Sequence, residues 1–167
     1  MDFYGTAPVY FDYGNTIVFQ NGNVYMNGQN LGTAAEYAAQ ARTLAMAGAS
    51  AQTSRDSEWL PLGVFALCRP GDSRSDITAQ LAVNQGGVIR GNYLDGSKNQ
   101  TLAILGSVDK KTQRVAFTVG DDHATVLETG LYNLIKPDAP ALVYLGADNT
   151  EQWELVGVQK PIAPDSY

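Results

Sequence analysis

At 167 residues, with 44% hydrophobic and 17% charged side chains, the chain has room for one domain, or one domain with a small appendage, and can bury a real core. A net charge of −6 argues against nucleic acid as a partner, because phosphate binding needs clustered Lys and Arg. Here only Lys110, Lys111 and Arg114 gather, around a predicted turn. Cys68 is the sole cysteine, which excludes an internal disulfide, and no apolar run approaches the roughly 18 residues of a membrane span.

Low charge with 17 Gly and 9 Tyr suits a β-rich fold with many turns. The first residues, Met1-Asp-Phe-Tyr-Gly5, have neither a basic region nor an apolar h-region, so no signal peptide is visible in this chain and an exported protein would already be trimmed. Residues 1–15 carry Phe3, Tyr4, Tyr10, Phe11 and Tyr13 among Gly and Pro, and read as an irregular or edge segment whose rings cover an apolar surface. An aromatic binding platform is the functional alternative.

Thr16–Gln20 meets Asn21-Gly22, and Asn23–Met26 meets Asn27-Gly28. Asn-Gly between apolar runs signals a type I′ hairpin, whose two central residues need positive φ, so residues 16–31 read as a small three-stranded meander. Thr33-Ala-Ala-Glu36 is a capping-box pattern, and Ala34, Tyr37, Ala38, Ala41, Leu44 and Ala45 follow at helical spacing up to Gly48, placed as a C′ glycine. That helix should run about 14 residues and lie close against a sheet, because its apolar stripe is mostly alanine. Residues 1–50 thus form a small meander-plus-helix unit, and 51–58 a linker.

From residue 59 to 167 a regular succession of strand-like runs follows: Leu60–Arg69, Asp76–Asn84, Val88–Leu94, Gln100–Val108, Arg114–Val119, Ala124–Ile135, Ala141–Leu145 and Glu151–Gln159. Links this short join antiparallel neighbours, since a parallel crossover takes a dozen or more residues. About eight such strands favour closure into an up-and-down barrel, which removes both edges. The expected fold is therefore mainly β (α+β overall): an antiparallel eight-stranded barrel preceded by the meander and one α-helix. Gly91, Gly106, Gly130 and Gly157 fall inside predicted strands, where glycine permits strong coiling or close approach.

Chemistry-bearing groups are sparse. His123, the only histidine, sits in Gly120-Asp-Asp-His123, and no Gly-x-Ser-x-Gly elbow is present, so it reads as a turn residue rather than a hydrolase base. Asp121, Asp122 and His123, or Asp148, Asn149 and Glu151, lack the pattern of a calcium loop or zinc site, and turn chemistry accounts for both; no metal or cofactor is expected. Glu128 and Glu154 are candidates for paired glycosidase carboxylates, but read first as solvent-facing residues on the barrel exterior. Arg69 beside Cys68 could lower the thiol's pKa, against the usual outcome of an inert half-buried thiol.

Two resemblances bear on the reading. Residues 23–37, Asn-Val-Tyr-Met-Asn-Gly-Gln-Asn-Leu-Gly-Thr-Ala-Ala-Glu-Tyr, with Glu58–Leu67 and Val108–Arg114, resemble a family of uncharacterised bacterial secreted or cell-surface proteins, some described as protocadherin-like. That resemblance implies an extracytoplasmic location, secreted or at the cell surface. Gly87–Tyr93, the Gly106 strand, Phe117–Val119, Thr129–Tyr132 and Trp153–Gly157 look like the strand order of avidin-type barrels, in which an inward Tyr and a late Trp hold the ligand. Tyr93 and Trp153 match those positions. Phe117 stands where that family has a Trp, and no Asp follows Gly157, so the resemblance implies the architecture rather than the family's ligand.

The leading expectation is a non-enzymatic extracytoplasmic module for interaction with envelope partners or for self-association. The alternative is a carrier of a small apolar ligand lined by Tyr93, Phe117, Tyr132 and Trp153, and a hydrolase comes third. A cavity well under roughly 300 Å³ would count against the carrier.

Overall fold

The computed structural model describes residues 3–5, 7–54, 57–72, 75–146 and 149–159. Part of the expected linker (55 and 56), Asp148, and the last eight residues of the expected barrel segment, 160–167, lie outside the described residues. Among the described residues no helix is long and apolar enough to cross a membrane.

Three short strands come first: β1 (Ile17–Gln20), β2 (Asn23–Met26) and β3 (Gln29–Thr33), paired antiparallel in that order. Both Asn-Gly corners have the expected positive φ, 52° and 78° at Asn21 and Gly22, 51° and 83° at Asn27 and Gly28. Helix α1 (Ala34–Ala49) then starts from a complete capping box, with the Glu36 amide donating to Thr33 Oγ1 at 3.0 Å and the Thr33 amide donating to Glu36 Oε1 at 2.9 Å.

Eight strands follow: β4 (Trp59–Cys68), β5 (Ile77–Asn84), β6 (Val88–Asp95), β7 (Gln100–Val108), β8 (Arg114–Val119), β9 (Asp122–Gly130), β10 (Asp138–Leu145) and β11 (Thr150–Gln159). Each pairs antiparallel with its successor, and β11 pairs back onto β4, closing an up-and-down barrel. The run predicted as one strand over Ala124–Ile135 is in fact β9 followed by a 3₁₀ turn at Tyr132–Ile135. Gly130 marks the break: a Cβ there would lie 2.3 Å from the Phe11 ring, so the chain turns where the N-terminal segment crosses it.

The described residues form two cores. The inner one fills the barrel with inward positions such as Phe65, Leu81, Ile89, Ile104, Phe117, Leu127, Val143 and Leu155. The outer one joins Phe11, Tyr13, Ile17, Val24, Tyr37, Ala38, Ala41 and Ala45 to the outer face of the wall, at Ala116, Val126, Leu142 and Tyr144. The N-terminal unit therefore packs along the side of the barrel.

The alanine stripe lets α1 lie very close to β7. Gly48 is not a C′ glycine, a correction to the sequence reading: it lies inside the last turn, and Ser50 is the C-cap. Its role is contact, since a Cβ on Gly48 would lie 1.8 Å from the Gly106 carbonyl oxygen. The helix has no basic residue in its last turn, and Arg90 of β6 stands in, donating to the Gly48 carbonyl at 2.9 Å and the Ala51 carbonyl at 3.1 Å. The Ser107 hydroxyl donates to the Leu44 carbonyl at 2.5 Å.

Candidate functional site

The two ends of the barrel differ. At the end where β9 stops and β10 starts, Leu131, Tyr132 and Leu134 are buried in the inner core. Residues 4 and 7–11 meet this end. The Tyr4 hydroxyl donates to the Asn84 carbonyl at 2.7 Å, and Gln113 takes the Val9 amide at 2.7 Å and gives to the Ala7 carbonyl. Asn133 takes the Phe11 amide at 3.0 Å and gives to the Phe11 carbonyl at 2.8 Å, while Tyr10 meets the Tyr132 ring edge-on at 6.3 Å. This is a seal, made of backbone groups satisfied by two buried side-chain amides.

At the other end the interior filling thins, and a half-open cavity of about 210 Å³ remains. Its walls include Leu67, Leu102, Leu127 and Val143, with Tyr93 of β6 and Trp153 of β11 among them. Asp95, Lys98, Gln100, Asp122 and Thr125 add polar groups. Bonds to near neighbours in the chain position the acids, in the turn after β6 for Asp95 and at the start of β9 for Asp122. Asp95 Oδ1 accepts from the Ser97 hydroxyl at 2.6 Å and the Ser97 amide at 3.0 Å, and Asp122 Oδ1 accepts from the Ala124 amide at 3.0 Å.

These bonds favour the ionised forms. The Ser97 hydroxyl holds Asp95 below the usual carboxylate range, and the contact with Thr125 does the same for Asp122. Burial pushes the Tyr93 phenol up, and the charge of Asp95 adds to the rise. Trp153 donates through Nε1 to Glu151 at 2.9 Å, and the Arg69 guanidinium lies over its ring, 5.3 Å from the centroid. The set includes two ring systems, two carboxylates held ionised, an ammonium, a side-chain amide and a hydroxyl. It can hold a group by shape, ring contact and charge.

Of the four residues expected to line a lumen, the structure brings Tyr93 and Trp153 together at this cavity. Phe117 is 1% exposed inside the filled core, opposite Gly106, and does not line it. Tyr132 is not on a strand at all; it belongs to the 3₁₀ turn at the sealed end. Of the polar groups at the cavity, Asp122 reads from the sequence as turn chemistry, and Asp95 and Lys98 are not singled out by it. Inward alternation could have found one of them, since Tyr93 and Asp95 are two apart on β6.

A second cluster lies on the outer wall, under α1. Glu128, read from sequence as solvent-facing, is fully buried. Arg114 grips it in a bidentate pair through Nε and Nη2, and Tyr144 donates to Glu128 Oε1 at 2.5 Å. Two further guanidinium protons go to α1: to Gln40 Oε1 at 2.8 Å and the Tyr37 carbonyl at 2.9 Å, with the guanidinium carbon 3.7 Å from the Tyr37 ring centroid. Burial alone would lower Arg114, but Glu128 outweighs it and holds the guanidinium more firmly protonated. Burial, then the charge of Glu128, pushes the Tyr37 and Tyr144 phenols far up. The Tyr37 hydroxyl feels Glu128 without completing a hydrogen bond of ordinary geometry, and Tyr13 is buried beside it with its hydroxyl also unpartnered. The pair is an anchor between unit and wall, and Glu128 is fully engaged by it.

His123 is exposed at the start of β9 rather than in the turn before it. Cys68 is buried, and burial, followed by the charge of Asp72, raises its thiol; the lowering that Arg69 could have produced is not what the structure shows. No family model, no curated protein and no solved structure matches the chain.

Proposed function

We propose that the chain is a non-enzymatic binding module that takes a small group of a partner molecule into the half-open end of its barrel. The observation that carries this reading is the asymmetry of the two ends. One is sealed by the chain's own residues, while the other holds a cavity of about 210 Å³ with Tyr93 and Trp153 in its wall. That volume lies below the roughly 300–1,000 Å³ of ligand-enclosing pockets, so it suits a side-chain-sized group presented by a larger partner better than a carried small molecule. A location outside the cytoplasm belongs to the same proposal and rests on the resemblance to secreted and surface proteins. A hydrolase has less support, because Glu128 is locked to Arg114 and Tyr144.

The test is chemical-shift mapping of isotope-labelled protein titrated with fractionated envelope material from its host. Shifts gathered at Tyr93, Leu102, Thr125 and Trp153 are expected. Shifts confined to the outer wall would overturn the reading. A stoichiometric small-molecule adduct, seen by native mass spectrometry of protein purified from that host, would shift the balance to the carrier.

A further inference from the structure

Resting on that reading, we propose that the group the cavity selects is the guanidinium of an arginine side chain carried by a partner protein. The argument starts from the rings. Aromatic faces attract cations through the ring quadrupole, and a guanidinium adds planar stacking that an ammonium lacks. Tyr93 and Trp153 line one half-open cavity, and the carboxylates lining it, Asp95 and Asp122, outnumber the single ammonium of Lys98. Asp95 is held by the turn that follows β6 and Asp122 by amides at the start of its own strand, so their charge stays in place without a ligand.

The chain supplies its own example. Arg69 follows Cys68 at the end of β4, one position beyond the Glu154–Cys68 pair, and so continues toward Trp153 on the neighbouring strand. Its guanidinium lies over the Trp153 ring at 5.3 Å, yet the residue remains exposed. An exposed intramolecular contact of this kind is weak and exchangeable. Arg69 therefore acts as a resident competitor, holding the ring until a partner's arginine, entering the cavity with carboxylates beside it, displaces it.

The experiment titrates the intact protein with N-acetyl-arginine amide and, separately, with the citrulline analogue, which has nearly the same shape and no charge. The readout is the Trp153 indole N–H resonance, assigned with Trp153→Phe. Saturable binding of the arginine compound is expected, about fivefold or more tighter than citrulline, and weakened by added salt. Arg69→Ala should tighten it about two- to fivefold by removing the competitor. Tyr93→Leu, which keeps apolar volume and removes the ring, should weaken it, with dispersed spectra confirming the fold. Equal binding of arginine and citrulline would overturn the charge selection and leave the cavity reading standing. Weaker binding after Arg69→Ala would also overturn the proposal, since Arg69 would then be a ligand contact. If neither compound binds while envelope material still shifts the cavity residues, the arginine assignment fails alone; if neither does, both readings fail.

Discussion

The sealed end and flank of the barrel contrast with its half-open end in how their polar groups are used. Under α1 and across the seal, charges and amides are buried and spent on other parts of the same chain: Arg114 on Glu128, Gln40 and Tyr37, Asn133 on Phe11. At the cavity Asp95 and Asp122 are held by bonds to their near neighbours in the chain, and the Trp153 ring has an exposed Arg69 for company. One region spends its polar chemistry on holding together, and the other sets it around a half-open cavity. Stability should therefore depend on the first, and binding on the second.

The largest effect is expected at the buried pair. Glu128→Ala leaves Arg114 buried without its anion and should destabilise by about 3–5 kcal/mol, read as a lower denaturant midpoint at unchanged slope. The double replacement Glu128→Leu with Arg114→Met should recover much of that loss, because two apolar groups leave no charge stranded. The same cluster sets the alkaline limit. Tyr13, Tyr37 and Tyr144 all have phenols raised above the ordinary 10.0. A raised value in the folded state means that stability is full below 10.0 and falls as pH rises beyond it, so tyrosinate absorbance from these residues should grow together with loss of near-UV circular dichroism.

Gly48→Ala comes next. The added methyl meets the Gly106 carbonyl at 1.8 Å, so α1 has to lift from β7, at a cost of roughly 1–3 kcal/mol in thermal or denaturant melts. Arg90→Ala removes the donor to the last carbonyls of α1 and should cost about 1 kcal/mol, visible first as faster amide exchange in that turn. The smallest effect belongs to the cavity: Tyr93→Leu, on a half-buried ring, should stay within about 0.5 kcal/mol. A Tyr93→Leu loss as large as that of Gly48→Ala would break the contrast between the two regions.

Much of the architecture was legible in the sequence, and the reason is local. Asn-Gly corners, the Thr33–Glu36 box and polar turns at close intervals each fix a short segment without help from elsewhere, and eight adjacent hairpins leave few topologies. What could not be read locally was what the N-terminal unit covers. Gly48 passes for a helix terminator until the opposing backbone of Gly106 is known. Glu128 and Arg114 pass for surface charges because their burial comes from a helix some 77 positions earlier in the chain. One signal was available. Arg114–Thr118 and Ala141–Tyr144 are buried on both faces, and their apolar or small residues do not alternate with polar ones as a half-solvated strand would. At the cavity, Tyr93 and Trp153 were legible as inward aromatics. Asp122 was not, because its place beside the Gly120-Asp121 turn explains it as turn chemistry, whereas Asp95 shares the inward alternation of Tyr93.

The seal also has a consequence in time. Phe11 bonds to Asn133 across 122 positions, and Arg114 to the Tyr37 carbonyl across 77. During synthesis residues 11–41 emerge well before β8 to β10, the wall they dock on. Until then Ile17, Val24, Tyr37 and Ala41 have no surface to cover, and loops of this length close slowly. The N-terminal unit is thus made before the wall it docks on and settles only after it, waiting as an early-made plug for a vessel still under construction.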